Sequence, residues 1–147
     1  MKRLAIKLQE LIRANRGSAA VEFALVGPAF LAMFLGVVQL GLALQSYNAV
    51  RNLSADVARH VTVQYQTGNQ LSNAQIRGVT VARAIAAPYQ LDGDRMAVFA
   101  PDATTQRLAG AKEIALTIQY RIPTIIQLFG FEGPEISYER PIFVTTT

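Results

Sequence analysis

From Phe23 to Leu44 the chain reads FALVGPAFLAMFLGVVQLGLAL, twenty-two residues with no charge and with Gln39 alone strongly polar. As a helix rising 1.5 Å per residue, this run would be about 33 Å long, enough for a hydrocarbon core of about 30 Å. It also explains the composition. Hydrophobic residues make up 51% of the 147 and charged residues only 16%, against about 25% charged in an ordinary soluble domain. The formal charge of +4 belongs to one end: Lys2, Arg3, Lys7, Arg13 and Arg16 all precede residue 18, opposed there by Glu10 alone. Setting those aside leaves nine bases and nine acids in the rest of the chain, so the basicity gives no reason to expect a nucleic-acid partner. By the positive-inside rule the basic end stays cytoplasmic and everything after the run is exported, into the periplasm of a diderm bacterium.

Two other readings of the run remain open on hydropathy alone. A secretory signal peptide has an apolar core of about 7–15 residues followed by a small-x-small cleavage site, for which Gly41-Leu42-Ala43 is a weak match. An uncleaved signal anchor would leave the chain as a single-pass periplasmic receptor or scaffold.

Catalytic and metal chemistry find little to use. There is no cysteine and one histidine, His60, so disulfides, thiolate sites and a cysteine nucleophile are excluded and a histidine-based zinc site is incomplete. No serine lies in a nucleophile motif and no phosphate-binding glycine loop is present. Asp92-Gly93-Asp94 offers two carboxylates on a turn, short of the six to eight oxygens that Ca²⁺ takes, and reads as a solvated turn. No enzyme activity, cofactor or metal site is expected.

At the membrane edge, Arg16-Gly17-Ser18-Ala19-Ala20-Val21-Glu22-Phe23 places a glycine at the end of the basic segment, three small residues after it, and one acid where the apolar run begins. The small residues leave the backbone accessible to a protease at the membrane surface. A lone carboxylate within the membrane's reach is costly, by about 2.5–3.5 kcal/mol near the centre and less at an edge, so it persists where it gains a partner. Complementing the helix macrodipole, worth about 0.3–1 kcal/mol, is the plainer role for Glu22. The stretch resembles the prepilin peptidase signal of type IV-like pilins, and the chain is identified with the TadE-like minor pilins, or pseudopilins, of tight-adherence (Tad/Flp) pilus systems. The resemblance implies cleavage between Gly17 and Ser18, with Glu22 fifth and Phe23 sixth in the mature chain. Phe23 stands where Flp pilins usually carry tyrosine. It further implies that Glu22 pairs with the new α-amino group of a neighbouring subunit and so sets axial register.

Gly27-Pro28 lies early in the run, where proline removes a donor and clashes with the carbonyl of Ala24; a kink or loosening is expected there, of the kind pilins use and ordinary spans also tolerate. Gln39 departs from TadE-like sequences, which often have an acid in this region.

Beyond the run, Leu44, Tyr47, Val50, Leu53, Val57 and Val61 recur at steps of three and four, with Asn48, Arg51, Asn52, Asp56 and Arg59 opposite. The membrane helix is thus expected to continue as an amphipathic stalk to about Val63. After a turn at Gln66-Thr67-Gly68-Asn69, a capping box of Ser72 and Gln75 opens a second helix running to about Ala86, stopped by Pro88, with Ile76, Val79, Ala82, Ile85 and Ala86 as its core stripe. Strands are expected around Met96 and Val98, over Ile114 to Ile122 in alternation with Glu113, Thr117, Gln119 and Arg121, and over Ile136 to Val144, where Pro141 points to an edge. Thr124 to Phe131 is an apolar stretch either buried under the sheet or exposed to a neighbouring subunit. The segment from Asn48 to Arg59, and Tyr120-Arg121-Ile122-Pro123 with the following loop, also resemble TadE-like patterns. The fold class is α+β and pilin-like, with a long N-terminal helix and a second helix packed on about three antiparallel strands. The expected organisation is a basic leader over 1–17, a transmembrane helix over 18–44 and an exported head over 45–147.

The resemblance makes the chain an assembly subunit whose partners are a prepilin peptidase, the major Flp pilin, other minor pilins, the inner-membrane assembly platform and the lipid bilayer. It would reside in the inner membrane, N-terminus cytoplasmic and C-terminus periplasmic, and enter an extracellular pilus.

Overall fold

The computed structural model describes residues 16–105, 107–108, 110–125, 127, 130 and 132–145; the expected leader up to Asn15 lies outside them, as do Ile126, Leu128, Phe129 and Phe131 of the apolar stretch 124–131. Helix α1 spans Arg16–Gln66, helix α2 spans Asn73–Ile85, and a 3-10 turn at Gly93–Arg95 leads into β1, Met96–Phe99. Strands β2, Ala111–Arg121, and β3, Glu135–Thr145, complete an antiparallel sheet of order β1-β2-β3. The architecture is α+β, as expected. The chain divides into two compact units, one up to Gln39 and one from Leu40 to Thr147.

In the second unit the strand with the clearest alternation, β2, is central. Ile114, Leu116, Ile118 and Tyr120, with Ile122 just beyond, are all buried. β3 pairs along its whole length, Ala111 opposite Thr145 and Arg121 opposite Glu135. Pro141 sits within that edge strand opposite Ala115, where its missing N–H costs no ladder bond if it faces outward. β1 covers only Thr117 to Tyr120, after which the backbone follows β2 through Ala103 N–H to the Glu113 carbonyl, 2.8 Å, and Ala115 N–H to the Pro101 carbonyl, 2.9 Å.

The α1 residues that enter this core are Val50, Leu53, Val57, Val61 and Tyr65, while Asn48, Arg51, Asn52, Asp56 and Arg59 are exposed. The period was legible, but the stripe begins one turn later than expected. Leu44 is 59% and Tyr47 42% exposed, because the inner side of β3 meets α1 at this level only through the edge of one ring, Tyr138 against Tyr47 at 6.2 Å and 82°. The helix ends at Gln66 and closes on Gly68, whose φ of +81° lets its N–H reach the Tyr65 carbonyl at 3.1 Å.

The capping box is present, with the Gln75 N–H donating to Ser72 Oγ and the Ser72 N–H to Gln75 Oε1. The core stripe of α2 differs from expectation. Ile76, Thr80 and Ala84 are buried, whereas Ala82 and Ala86 are exposed and Ile85 is 56% exposed. A strict four-residue ridge wins because the one polar group on it is satisfied internally: Thr80 Oγ1 donates to the Ile76 carbonyl at 2.7 Å. A hydropathy reading discards threonine and so selects the wrong ridge. The loop after α2 is held to α1 by Tyr89, whose hydroxyl donates to Asp56. Burial, reinforced by that carboxylate, pushes the Tyr89 hydroxyl up to about 12.

Two glycines should answer substitution with opposite signs. A Cβ on Gly133 would lie 1.9 Å from the Ile122 carbonyl oxygen, whereas one on Gly78 meets nothing within 4 Å. Gly133→Ala should therefore destabilise by about 1–3 kcal/mol, while Gly78→Ala, in an exposed helix interior, should stabilise by up to about 1 kcal/mol. Denaturation midpoints of the two variants moving in the same direction would contradict the packing described.

Candidate membrane anchor and processing site

The residues expected to carry function fall in about the first four turns of α1. Gly17 and Ser18 lie in its opening turn. Glu22 and Phe23 follow in the next, both exposed, with Phe23 at 77%. The Phe23 ring lies beside the following turn, so that a Cβ on Gly27 would come 3.6 Å from the ring's Cε1. Residues 23 and 27 are one turn apart and share a face, and a methyl at 27 would make only ordinary van der Waals contact with the ring. The helix assignment continues through Gly27-Pro28 without interruption, although proline leaves the Ala24 carbonyl without its helical donor. The expected break is thus a missing hydrogen bond inside a continuous helix.

From Ala19 to Val37 every described residue except the half-covered Gly27 is exposed. Val21, Leu25, Val26, Phe30, Leu31, Met33, Phe34 and Val37 are each more than half exposed. An apolar surface this continuous is far beyond the patches soluble monomers tolerate. The helix is long and apolar enough to cross a membrane, and a membrane anchor fits it.

Several titratable groups of the second unit are engaged within the fold. Asp92 caps the 3-10 turn, accepting from the Asp94 N–H at 3.0 Å and from Arg95 Nε at 3.1 Å, so its carboxylate is taken up by the turn itself. Among the described residues no group of three or more His, Cys, Asp or Glu could hold a metal ion. Glu113 was read as a solvent-facing strand position and is instead only 3% exposed. Arg107 folds across the outer face of the sheet to cover it, donating from Nε at 2.8 and 3.1 Å and pairing through its outer nitrogen as well. Its guanidinium lies 5.5 Å from the centre of the Phe143 ring, within cation–π range. The bonds from Arg107 hold the Glu113 carboxyl below its ordinary value against the opposing push of desolvation. No sequence signal marks this pair, since it is made across a loop with no local period.

Against this geometry stands one family match: the model described as TadE-like protein matches residues 17–59, from the glycine at the expected cleavage point through most of α1. Over that stretch, under a third of its 147 residues, the chain is similar to the TadE-like family. No curated protein and no solved structure matches the chain.

A group whose folded pKa is depressed contributes stability that is complete above its unfolded value and is lost as pH falls through the folded value. For Glu113 that loss begins below the ordinary carboxyl value of 4.5. Unfolding midpoints of the parent chain should therefore fall more steeply with acid than those of Glu113→Gln over this range; parallel curves would show that the pair contributes nothing.

Proposed function

We propose that the chain is a minor pilin, or pseudopilin, that helps build a Tad pilus, cut after Gly17 by a prepilin peptidase and assembled through α1. The observation that carries this reading is coincidence in register. The TadE-like match begins at Gly17, the lone acid Glu22 stands five residues on, and an apolar helix with almost no cover from its own chain follows at once. Before cleavage the five basic residues ahead of Ser18 keep the N-terminus cytoplasmic and leave the second unit in the periplasm. Cleavage frees the Ser18 amine, and the helix exchanges lipid contacts for lateral packing against the major Flp pilin and other minor pilins. Packing supplies most of the affinity, because lipid tails are as apolar as the helix and association in the bilayer rests on close fit. Glu22 supplies register by pairing with a neighbouring subunit's new α-amino group. The role is structural and uses no cofactor.

Glu22→Ala tests the assignment of roles. It should be inserted and cleaved like the parent, because neither the apolar run nor Gly17 is changed, yet be missing from sheared pili while accumulating in the inner membrane. Normal incorporation of Glu22→Ala would remove the register role, and loss of cleavage would move Glu22 from assembly to peptidase recognition.

A further inference from the structure

Among the described residues, no helix covers the outer face of the sheet. The helices of the second unit pack on the inner side, where Val50 to Tyr65 of α1 and Ile76 and Ala84 of α2 join the core. Strand alternation sends Ala97, Phe99, Gln119, Glu135, Ser137 and Glu139 the other way, and Phe99 is 48% exposed. The long free edge is closed to a further strand. The Ala115 N–H donates toward the β1 side, to the Pro101 carbonyl at 2.9 Å, so its partner Pro141 turns its nitrogen to the free edge of β3. A proline there has no donor to offer an incoming strand. The face is left as the open surface.

The two sides of the unit carry opposite charge. Residues 45–90, the helix side, hold four arginines and one acid, Asp56, which Tyr89 binds. Residues 91–145 hold seven acids and five bases. Of those bases Arg140 reaches inward to Ser54, and the other four are paired: Arg95 with Asp92, Arg107 with Glu113, Lys112 with Asp102 and Arg121 with Glu132. Asp94, Glu135 and Glu139 are in no ion pair among the described residues. Asp94 and Glu135 line a cleft of about 440 Å³ at one end of the outer face, with Gln119 also in its wall. The two arginines of that cleft are engaged already, Arg95 by Asp92 and Gln127 and Arg121 by Glu132.

Helix α2 presents the complement. It has no acid. Arg77 is exposed and in no ion pair among the described residues, and Val81 and Ile85 follow on the same stripe, 37% and 56% exposed. Beside them Ala74, Gly78 and Ala82 are small and exposed, which permits close approach. The spacings agree. Successive residues of the stripe stand about 6 Å apart along the helix, and successive outward rows of the sheet about 6.8 Å apart. With Arg77 at the cleft, Val81 falls on the row of Ala97, Gln119 and Ser137, and Ile85 on the row of Phe99, Thr117 and Glu139.

We propose that the α2 face of one copy of this chain docks on the outer sheet face of the next, with Arg77 entering the cleft between Asp94 and Glu135 and with Val81 and Ile85 packing on Ala97 and Phe99. The two faces lie on opposite sides of the unit, so the contact is heterologous and repeats from copy to copy. It lies wholly within the second unit and goes beyond the pilus reading. A chain that is never cut would sink that reading and leave this contact in place.

The chain has no cysteine, so one can be placed on each face of the full-length protein in detergent. Ala82→Cys on α2 and Ser137→Cys on β3 change exposed positions. Treated with a short bis-maleimide, the two chains mixed should give a crosslinked dimer holding one of each, neither alone should dimerise, and the double variant should give a ladder. Arg77→Glu in the Ala82→Cys chain should lower the mixed yield about tenfold, and Glu135→Arg in the other chain should restore it. Both charged residues are exposed, and the rescue separates loss of the contact from loss of the fold. A mixture that stays monomeric, self-crosslinking of either single variant as strong as in the mixture, or a yield indifferent to Arg77→Glu would each overturn the proposal. In cells, a photocrosslinking side chain at position 82 should capture a second copy; capture of a different protein alone would give the face another partner and overturn the self-contact.

Discussion

The apolar side chains of α1 from Val21 to Val37 find almost no cover within their own chain, and that constraint governs the rest. Burial of apolar surface is worth roughly 25 cal/mol per Å², so a helix of large exposed side chains is unstable in water and must be satisfied by lipid or by other helices. One helix suits both. Its backbone hydrogen bonds are internal, which is what a bilayer requires, and its surface of alternating large and small residues, Phe23 beside Gly27 for example, suits close approach of a second helix. The pilus subunit proposed above, moving from membrane to filament, would need a surface acceptable in both places, and a charge-free run with one acid at its edge would meet that need.

The second unit solves a different problem. From Val50 onward α1 has a core to bury itself in, made by the inner face of β2 and β3 and by the ridge of α2. Polar groups in this region are paired locally: Ser54 Oγ with the Arg51 carbonyl at 2.7 Å, Thr80 with Ile76, Glu113 with Arg107. Such pairing removes the penalty of burying a polar group, which otherwise costs about 1–3 kcal/mol.

The features legible in sequence were those with a long period or a strong local signal. The uncharged run, the amphipathic continuation through Val61, the Ser72–Gln75 capping box and the alternation of β2 each repeat one physical rule over several residues. What sequence did not disclose depended on partners far along the chain or on polar atoms acting as core. Thr80 replaced the apolar ridge expected on α2, Glu113 disappeared beneath Arg107, and Arg140 came to rest on Ser54, 86 positions away. Leu44 and Tyr47 fitted the helical period yet fell outside the core, because a period shows which face is apolar and not how far the sheet extends. At the proposed processing motif the roles expected of Gly17, Ser18, Glu22 and Phe23 came from a resemblance to prepilin peptidase signals; the structure adds that these residues share the opening turns of one helix.

The central claim is that α1 enters assembly only after the chain is cut between Gly17 and Ser18. The most direct measurement is the intact mass and N-terminal residue of the protein isolated from membranes of cells with and without their prepilin peptidase. The account predicts a chain beginning at Ser18 when the peptidase is present and at Met1 when it is absent. A chain beginning at Met1 in both would contradict it and make the protein an uncleaved, membrane-anchored receptor or scaffold.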